Sequence, residues 1–465
     1  MSVEFRKMDK GDIEALQNMV ASKILVAGQI NDDYCHDELG TAYGVPDALV
    51  RASSSLEVSN VMQYAYTHDI PVVVRGSGTG LVGGAVAVCG GIMLDVSPMN
   101  RILELDEDNL TVTVQCGVLL MELAQFCNDH GYQYCPDPGE KSATIGGNIS
   151  TNAGGMRAVK YGVTRDAVRA LTAVLPTGEV VELGGKVVKN SSGYSLMNLV
   201  IGSEGTLTVV TQATLKIIPK PEYSMSILVP FSSMGEAIKA VPRIIGAKVT
   251  PVAIEYMSRD VILFAEDYLG KKFPTHASDA YLLMSFDGNT KEAVVHDQEV
   301  VSDLCLELGA LDVLLIDTEE RSASVWSARS AFLEAIKGST DLMDECDVVV
   351  PRSRVADFIL YTHEIASKVG LRIPSFGHAG DGNLHIYLCR DGLDDCAWNA
   401  RRSEAFRLMY AKAHEFGGQV SGEHGIGLDK KEYLSEVLGP VQMRLMRGIK
   451  AVFDPKGLLN PNKVV

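Results

Sequence analysis

The side chains best suited to chemistry lie in two short runs toward the C-terminal end. The first is Ser375 to Leu388, SFGHAGDGNLHIYL, and the second is Gly422 to Gly427, GEHGIG. Asp381-Gly382 is a two-residue hairpin signal, because both central positions of the favoured turn need positive φ. A hairpin centred there sets Gly380 opposite Asn383, Ala379 opposite Leu384, and His378 opposite His385. Partners on one face hold their Cβ atoms about 4.5–5.5 Å apart. Leu384, Ile386 and Leu388 take one face of the second strand, so His385 takes the other. Two imidazoles side by side on a stiff hairpin make half a metal site, since each can place a nitrogen about 2.0–2.1 Å from one ion. Alone they also read as two ordinary histidines near a turn. Glu423 and His424, in a glycine-rich setting, add a carboxylate and a further imidazole.

The first half of the chain carries a different signal. A short apolar run from Ile70 to Val74 leads into RGSGTGLVGG, Arg75 to Gly84. Gly78 to Gly83 fits G-x-G-x-x-G, and Asp95 follows at a distance suited to the dinucleotide fingerprint. That fingerprint requires a crossover helix of a dozen or more residues. Here the next strand, Ile92 to Val96, starts after eight residues interrupted by Gly84, Gly90 and Gly91, so a loop between strands is expected. Such a loop still binds phosphate, because its exposed N–H groups form an anion nest. A second run, TIGGNISTNAGG from Thr144 to Gly155, is expected to be irregular, since Gly and Asn disfavour helix and strand alike. KNSSGY (189–194) and IGSEGTL (201–207) repeat the theme. Four such breaks separated by strands point to an extended, diphosphate-bearing cofactor wrapped by backbone amides, or to a β-rich domain with many tight turns.

At 465 residues, two or three domains are expected. A net charge of −17 argues against nucleic acid and against an anionic membrane surface. No apolar run reaches the roughly 18 residues of a membrane span. The opening MSVEFRKMDKGDIEAL has no apolar core or small-residue cleavage site, so no signal peptide is expected. Nine scattered cysteines without C-x-x-C read as reduced cytoplasmic thiols. They also argue against an iron–sulfur cluster in this chain.

Ser54 and Glu57 form a capping-box pattern ahead of Val58, Val61, Met62 and Ala65 at helical spacing. Residues 102–105 and 111–115 alternate as strands, and 119–130 reads as a helix. After Pro219 and Pro221, strands are expected at 226–229, 252–257, 280–286 and 311–316, with helices at 234–245 and 291–308. That alternation marks a second domain. Further helices are expected at 398–416 and 441–452.

RGSGTGLVGGA, TIGGNISTNAGG, IGSEGTL, GHAGDGNLH and SGEHGIG, in that order, resemble the p-cresol methylhydroxylase and vanillyl-alcohol oxidase flavoprotein superfamily, from about Asp47 to Lys463. Its D-2-hydroxyacid branch is the most similar: D-lactate dehydrogenase, the flavin subunit of glycolate oxidase, and D-2-hydroxyglutarate dehydrogenase. The resemblance implies an α+β fold with a p-cresol methylhydroxylase-type FAD-binding domain at 1–220. It implies an α+β cap domain with an antiparallel sheet at 221–416, and a segment at 417–465 that returns to the FAD domain. Arg75, Gly76, Ser77, Gly78, Thr79 and Gly80 would hold the FAD diphosphate. Ser142, Thr144, Gly147, Asn148, Thr151, Asn152 and Gly154 would line the rest of its path, with Glu204 and Gly205. His378, His385 and Glu423 would be ligands of one divalent metal (Zn, Fe or Mn), His424 the base, and Arg329 a substrate-carboxylate ligand.

Where the hydroxyglutarate branch has a lysine, this chain has Met343-Asp344-Glu345-Cys346-Asp347. A diacid would lose a cation there, so a short monoacid is expected, D-lactate first and glycolate next. The usual Asn-Pro-Gly-Lys ending is Asn460-Pro461-Asn462-Lys463 here, and Asn tolerates left-handed φ. Electrons would leave through a partner, a quinone or oxygen, and the resemblance implies a redox partner, an electron-transfer flavoprotein or an iron–sulfur subunit. Rival readings are a nicotinamide dehydrogenase, a metallohydrolase, a hydroxyglutarate-type dehydrogenase and a non-catalytic flavin-carrying subunit.

Overall fold

The structure is a computed structural model that describes residues 5–465, the side chain of Glu319 excepted. The first four residues of the opening segment read above lie outside the described residues. The chain forms two compact units. The first comprises Met1–Ala153, Val163–Lys220 and His424–Val465; the second comprises Gly154–Gly162 and Pro221–Glu423.

The first unit holds two larger sheets and a two-stranded one. In one, Ala48–Arg51, Ile92–Asp95 and Val72–Arg75 run parallel, with Leu25–Val26 antiparallel at the edge. The residues from Gly76 to Gly91 contain no helix, so the parallel crossover is a loop. The other sheet is antiparallel, in the order Ile102–Asp106, Thr111–Gln115, Val209–Lys216, Val168–Val174, Val180–Gly184. The helix Ser55–Thr67 buries Val58, Val61, Met62 and Ala65, the face its spacing predicts. Ser54 accepts from the Glu57 N–H, but Glu57 turns its carboxylate to Ser53 and Ala21, so the box is only half closed. One apolar core gathers Val50, Met62, Leu94, Val114, Ile145, Ile149 and Leu459 from across this unit.

The TIGGNISTNAGG run departs from its expected irregularity. Ile145–Thr151 is a seven-residue helix, closed by Asn152 at φ 54°. Two contacts override the poor propensity. Thr144 Oγ1 caps the helix by accepting from Gly147 N, and Ile145 and Ile149 are buried in the core. Gly76 is required beside this cap, because a Cβ there would overlap Thr144 Oγ1.

The second unit is built on a seven-stranded antiparallel sheet. Its order is Leu314–Ile316, Tyr223–Phe231, Ala280–Gly288, Ala253–Ser258, Ser375–His378, Asn383–Cys389, Met343–Val349. Met234–Ile245 and Lys291–Glu307 are helices near their predicted bounds. The helix Asp395–Glu415 starts three residues ahead of expectation, capped by Asp394. In the first unit the last helix extends back to Lys431, broken at Gly439, where φ is 73° and Pro440 restarts it.

Candidate active site

The hairpin forms with a longer turn than expected. Ser375–His378 pairs with Asn383–Cys389, but His378 lies opposite Asn383, and His385 opposite Phe376. Four residues, Ala379 to Gly382, make the turn. The Asp381 and Gly382 amides both donate to the His378 carbonyl, and the Gly380 amide donates to Ile254 on the neighbouring strand, Ala253–Ser258. Those bonds outweigh the two-residue Asp-Gly preference. The shift is two residues, an even number, so His378 and His385 still share a face. Their ring centroids are 5.2 Å apart at 88°.

The two imidazoles meet edge to edge. His378 Nε2 lies 3.4 Å from His385 Nε2 and 2.9 Å from Glu423 Oε1. Ligand atoms of His378, His385 and Glu423 all fall within 4.8 Å of one another. Two ligands bound at about 2.0–2.1 Å to a tetrahedral ion lie about 3.4 Å apart. The donor set and its spacing therefore fit one divalent ion. On the far side, His378 Nδ1 is 2.7 Å from Glu255 Oε1, and His385 Nδ1 is 3.2 Å from Glu345 Oε1. Burial would lower the pKa of His378, but the carboxylates of Glu255 and Glu423 outweigh it and hold the pKa well above the usual value. Burial raises the Asp381 carboxyl to about 7.

Glu423 is held by its backbone. Asp347 is fully buried; its Oδ2 accepts from Ser421 Oγ at 2.7 Å and from the Gly422 and Glu423 amides at 3.1 Å. Its Oδ1 accepts from Asn383 Nδ2 at 2.7 Å. Gly422 must be glycine, since a Cβ there would overlap the Asn383 amide. Gly154, expected on the FAD path, lies in the second unit, where a Cβ would sit 3.1 Å from Glu423 Cγ.

Arg329 is buried on the helix Glu319–Ser330. Its Nε and Nη2 donate to Glu255 Oε2 at 2.8 and 2.5 Å, and its guanidinium stacks 4.6 Å over Phe376. Two of its nitrogens are thus committed to Glu255. Burial would raise the Glu255 pKa; His378 and Arg329 together bring it below the ordinary value.

The expected cofactor residues other than Gly154 fall in the first unit. Arg75 is buried and donates to the carbonyls of His36 and Asp33 at 2.8 and 2.6 Å, beneath the loop it opens. Among the described residues, no backbone N–H from Gly76 to Val82 donates to a protein acceptor, so Gly76, Ser77, Gly78, Thr79 and Gly80 present a run of amides. Ser142 and Thr144 precede the short helix, which carries Gly147, Asn148 and Thr151, with Asn152 closing it. Asn148 Nδ2 is buried without an acceptor among the described residues. Glu204, at φ 52°, turns its carboxylate to the Ile426 and Gly427 amides, both at 2.8 Å, and Gly205 follows at φ 67°. Glu204 thereby anchors the segment just after His424, which is half-buried and opens the last part of this unit.

Residues 46–184 match the FAD binding domain family, and residues 220–464 match FAD linked oxidases, C-terminal domain. D-lactate dehydrogenase of Anaerostipes hadrus is 48% identical, over 99% of this chain and 98% of that protein. The chain belongs to the FAD-linked oxidase family. Glycolate oxidase subunit GlcD of Bacillus subtilis (strain 168) is 39% identical to this FAD-linked oxidase, over 93% of this chain and 91% of that subunit. The solved structure of p-cresol methylhydroxylase with substrate bound superposes with a TM-score of 0.79 at 16% identity, over 98% of this chain and 97% of that one. The p-cresol methylhydroxylase-type fold and the FAD cofactor expected from the motifs are thereby established. The unpartnered amides of the Gly76 loop and the buried Asn148 amide are donors of the kind a flavin diphosphate requires.

Glu255, Glu345 and Asp347, which contact His378, His385 and the Glu423 segment, are not singled out by the sequence reading. Each leaves a trace: Glu255 is the one charged residue in VAIEYM, and MDECD places three acids in a strand that is buried almost throughout.

Proposed function

We propose that this FAD-linked oxidase oxidises a short D-2-hydroxyacid to its 2-oxoacid, D-lactate first and glycolate next. One divalent ion (Zn, Fe or Mn) is held by His378, His385 and Glu423. Electrons pass to a partner such as an electron-transfer flavoprotein or an iron–sulfur subunit. The observation that carries the reading is the pair of Nε2 atoms 3.4 Å apart with the Glu423 carboxylate beside them. The 48% identity to a D-lactate dehydrogenase supports the substrate. Buried Glu345 and Asp347, on the strand face that also carries His385, disfavour a second substrate carboxylate. The cytoplasmic location belongs to the proposal and rests on cysteines that are all free thiols. No helix among the described residues is long and apolar enough to cross a membrane.

Bound FAD would supply a hydride acceptor, and a divalent ion held by His378, His385 and Glu423 would supply Lewis acidity. His424 accepts the hydroxyl proton at an imidazole nitrogen, a task suited to a reference pKa of about 6.5. His378, His385 and Glu423 fix where the hydroxyl and carboxylate of the substrate sit. Arg329 contributes positive charge behind Glu255. The amides of Gly76 to Gly80 hold the diphosphate.

The test is turnover with an artificial electron acceptor on D-lactate, glycolate, L-lactate and D-2-hydroxyglutarate, before and after chelation. D-lactate is expected to lead and chelation to abolish turnover. Preference for D-2-hydroxyglutarate, or indifference to chelation, overturns the reading.

A further inference from the structure

We propose that Glu255 and Glu345 are positioning residues, each accepting the Nδ1–H of one histidine, His378 or His385, so that both Nε2 atoms face a single point. Four adjacent strands build this arrangement: Ala253–Ser258, Ser375–His378, Asn383–Cys389 and Met343–Val349. Each histidine takes its carboxylate from the strand on its own outer side. Glu255 lies directly across from His378 in the ladder. Asp347 lies across from His385, and Glu345, two residues along, shares that face and reaches the ring diagonally.

The contacts divide the work within each carboxylate. Arg329 places both Nε and Nη2 on Glu255 Oε2, which leaves Oε1 for His378 Nδ1 at 2.7 Å. A structural ion pair with Arg329 would satisfy Glu255 without His378, so the second contact reflects orientation of the ring. On the other side Glu345 meets His385 Nδ1 at 3.2 Å and is hydrogen-bonded by the Tyr387 hydroxyl. Tyr387 stacks on Phe376, which also lies against the His385 ring. Every member is at least nine-tenths buried, so neither ring is free to rotate. A neutral imidazole that donates from Nδ1 presents a lone pair at Nε2, and this tautomer is the one a metal takes at Nε2. Carboxylates behind ligating histidines typically change metal affinity 10- to 100-fold when removed. Arg329 thus acts through Glu255, which extends its expected role as a substrate ligand.

The purpose assigned to these pairs rests on the metal reading above; the hydrogen bonds do not, and the test separates the two. Histidine-selective ¹⁵N NMR on the metal-free protein should show a protected Nδ1–H on both His378 and His385. Glu255→Ala should lose it from His378 and Glu345→Ala from His385. Chelator competition with Zn²⁺ should give affinities about 10- to 100-fold weaker in each Ala variant, with FAD content unchanged. The Gln variants keep an acceptor oxygen and the fold, and should retain Nδ1–H with a smaller, several-fold loss. An unprotonated Nδ1 on either histidine of the wild type overturns the proposal. So does a set of folded variants that bind Zn²⁺ as the wild type does. Wild-type protein with both Nδ1–H protons and no Zn²⁺ affinity overturns the metal reading instead.

Discussion

Asp347→Asn is the sharpest single perturbation of the segment that carries Glu423. The wild-type carboxylate accepts four hydrogen bonds, from Ser421 Oγ, the Gly422 and Glu423 amides, and Asn383 Nδ2. Hydrogen bonds to a charged acceptor contribute about 1.5–3 kcal/mol each, and neutral ones about 0.5–1.5 kcal/mol. With Asn at 347, the amide oxygen can keep the three bonds at Oδ2 as neutral bonds, a loss of about 1 kcal/mol each. The new NH₂ then faces Asn383 Nδ2, itself a donor, which is also bonded to the Val348 carbonyl at 3.0 Å. Relief of carboxylate desolvation offsets part of this, leaving a net loss of about 2 kcal/mol. In a unit of about 200 residues that lowers Tm by about 4–8 °C. Asp347→Ala leaves all four donors without their acceptor and should cost about 3–5 kcal/mol. The assay is thermal melting with and without added Zn²⁺, together with chelator competition. Asp347→Asn should lose both Tm and Zn²⁺ affinity. A variant that melts and binds Zn²⁺ like the wild type would refute the claim that Asp347 places Glu423.

Denatured protein should release FAD into the supernatant; release of FMN alone, or of no flavin, contradicts the assignment of the glycine-rich loops. Glu423→Ala should lose metal and keep FAD, whereas His424→Ala should keep both and slow flavin reduction by about 10²–10⁴-fold. Metal analysis beside rapid-reaction kinetics checks this pair, and a folded, metal-loaded His424→Ala reduced at the wild-type rate removes His424 from the chemistry. Lys463, buried against the Val86 carbonyl and Asn460, has its pKa lowered by burial to about 7. Because the unfolded chain binds that proton up to about pH 10.5, the folded state gains stability from this group as pH rises from about 7 to 10.5, by at most about 1.4 kcal/mol per pH unit. Denaturation of wild type and Lys463→Met across that range should diverge accordingly, and parallel curves would show the amine to be charged in the fold.

The sequence made legible whatever depends on side-chain type and local spacing. The helical face of Val58, Val61, Met62 and Ala65 was readable, as was the absence of a helix after Gly76, and both are present. The hairpin was readable too, but its register was not. The Gly380 amide bonds to Ile254, more than a hundred residues away in sequence, and local turn preference carries no record of that contact. The Ile145–Thr151 helix was illegible for a related reason: its stability comes from burying Ile145 and Ile149, not from the propensities of Gly and Asn. Arg329 is legible in the sequence as a cation suited to a carboxylate, but its pairing with Glu255 is not. Strand pairing decided that, since it sets Glu255 beside His378.

The proposed function rests on one event, reduction of the bound flavin by D-lactate under control of a metal held by His378, His385 and Glu423. Anaerobic stopped-flow absorbance of the flavin, with metal-replete, chelated and reconstituted protein, measures it directly. D-lactate should bleach the replete protein, leave the chelated protein oxidised, and bleach it again once Zn²⁺, Mn²⁺ or Fe²⁺ is restored, while L-lactate does nothing in any state. Equal rates in replete and chelated protein would contradict the metal's part, and an FAD-loaded, metal-replete protein that D-lactate and glycolate fail to reduce would contradict the account itself.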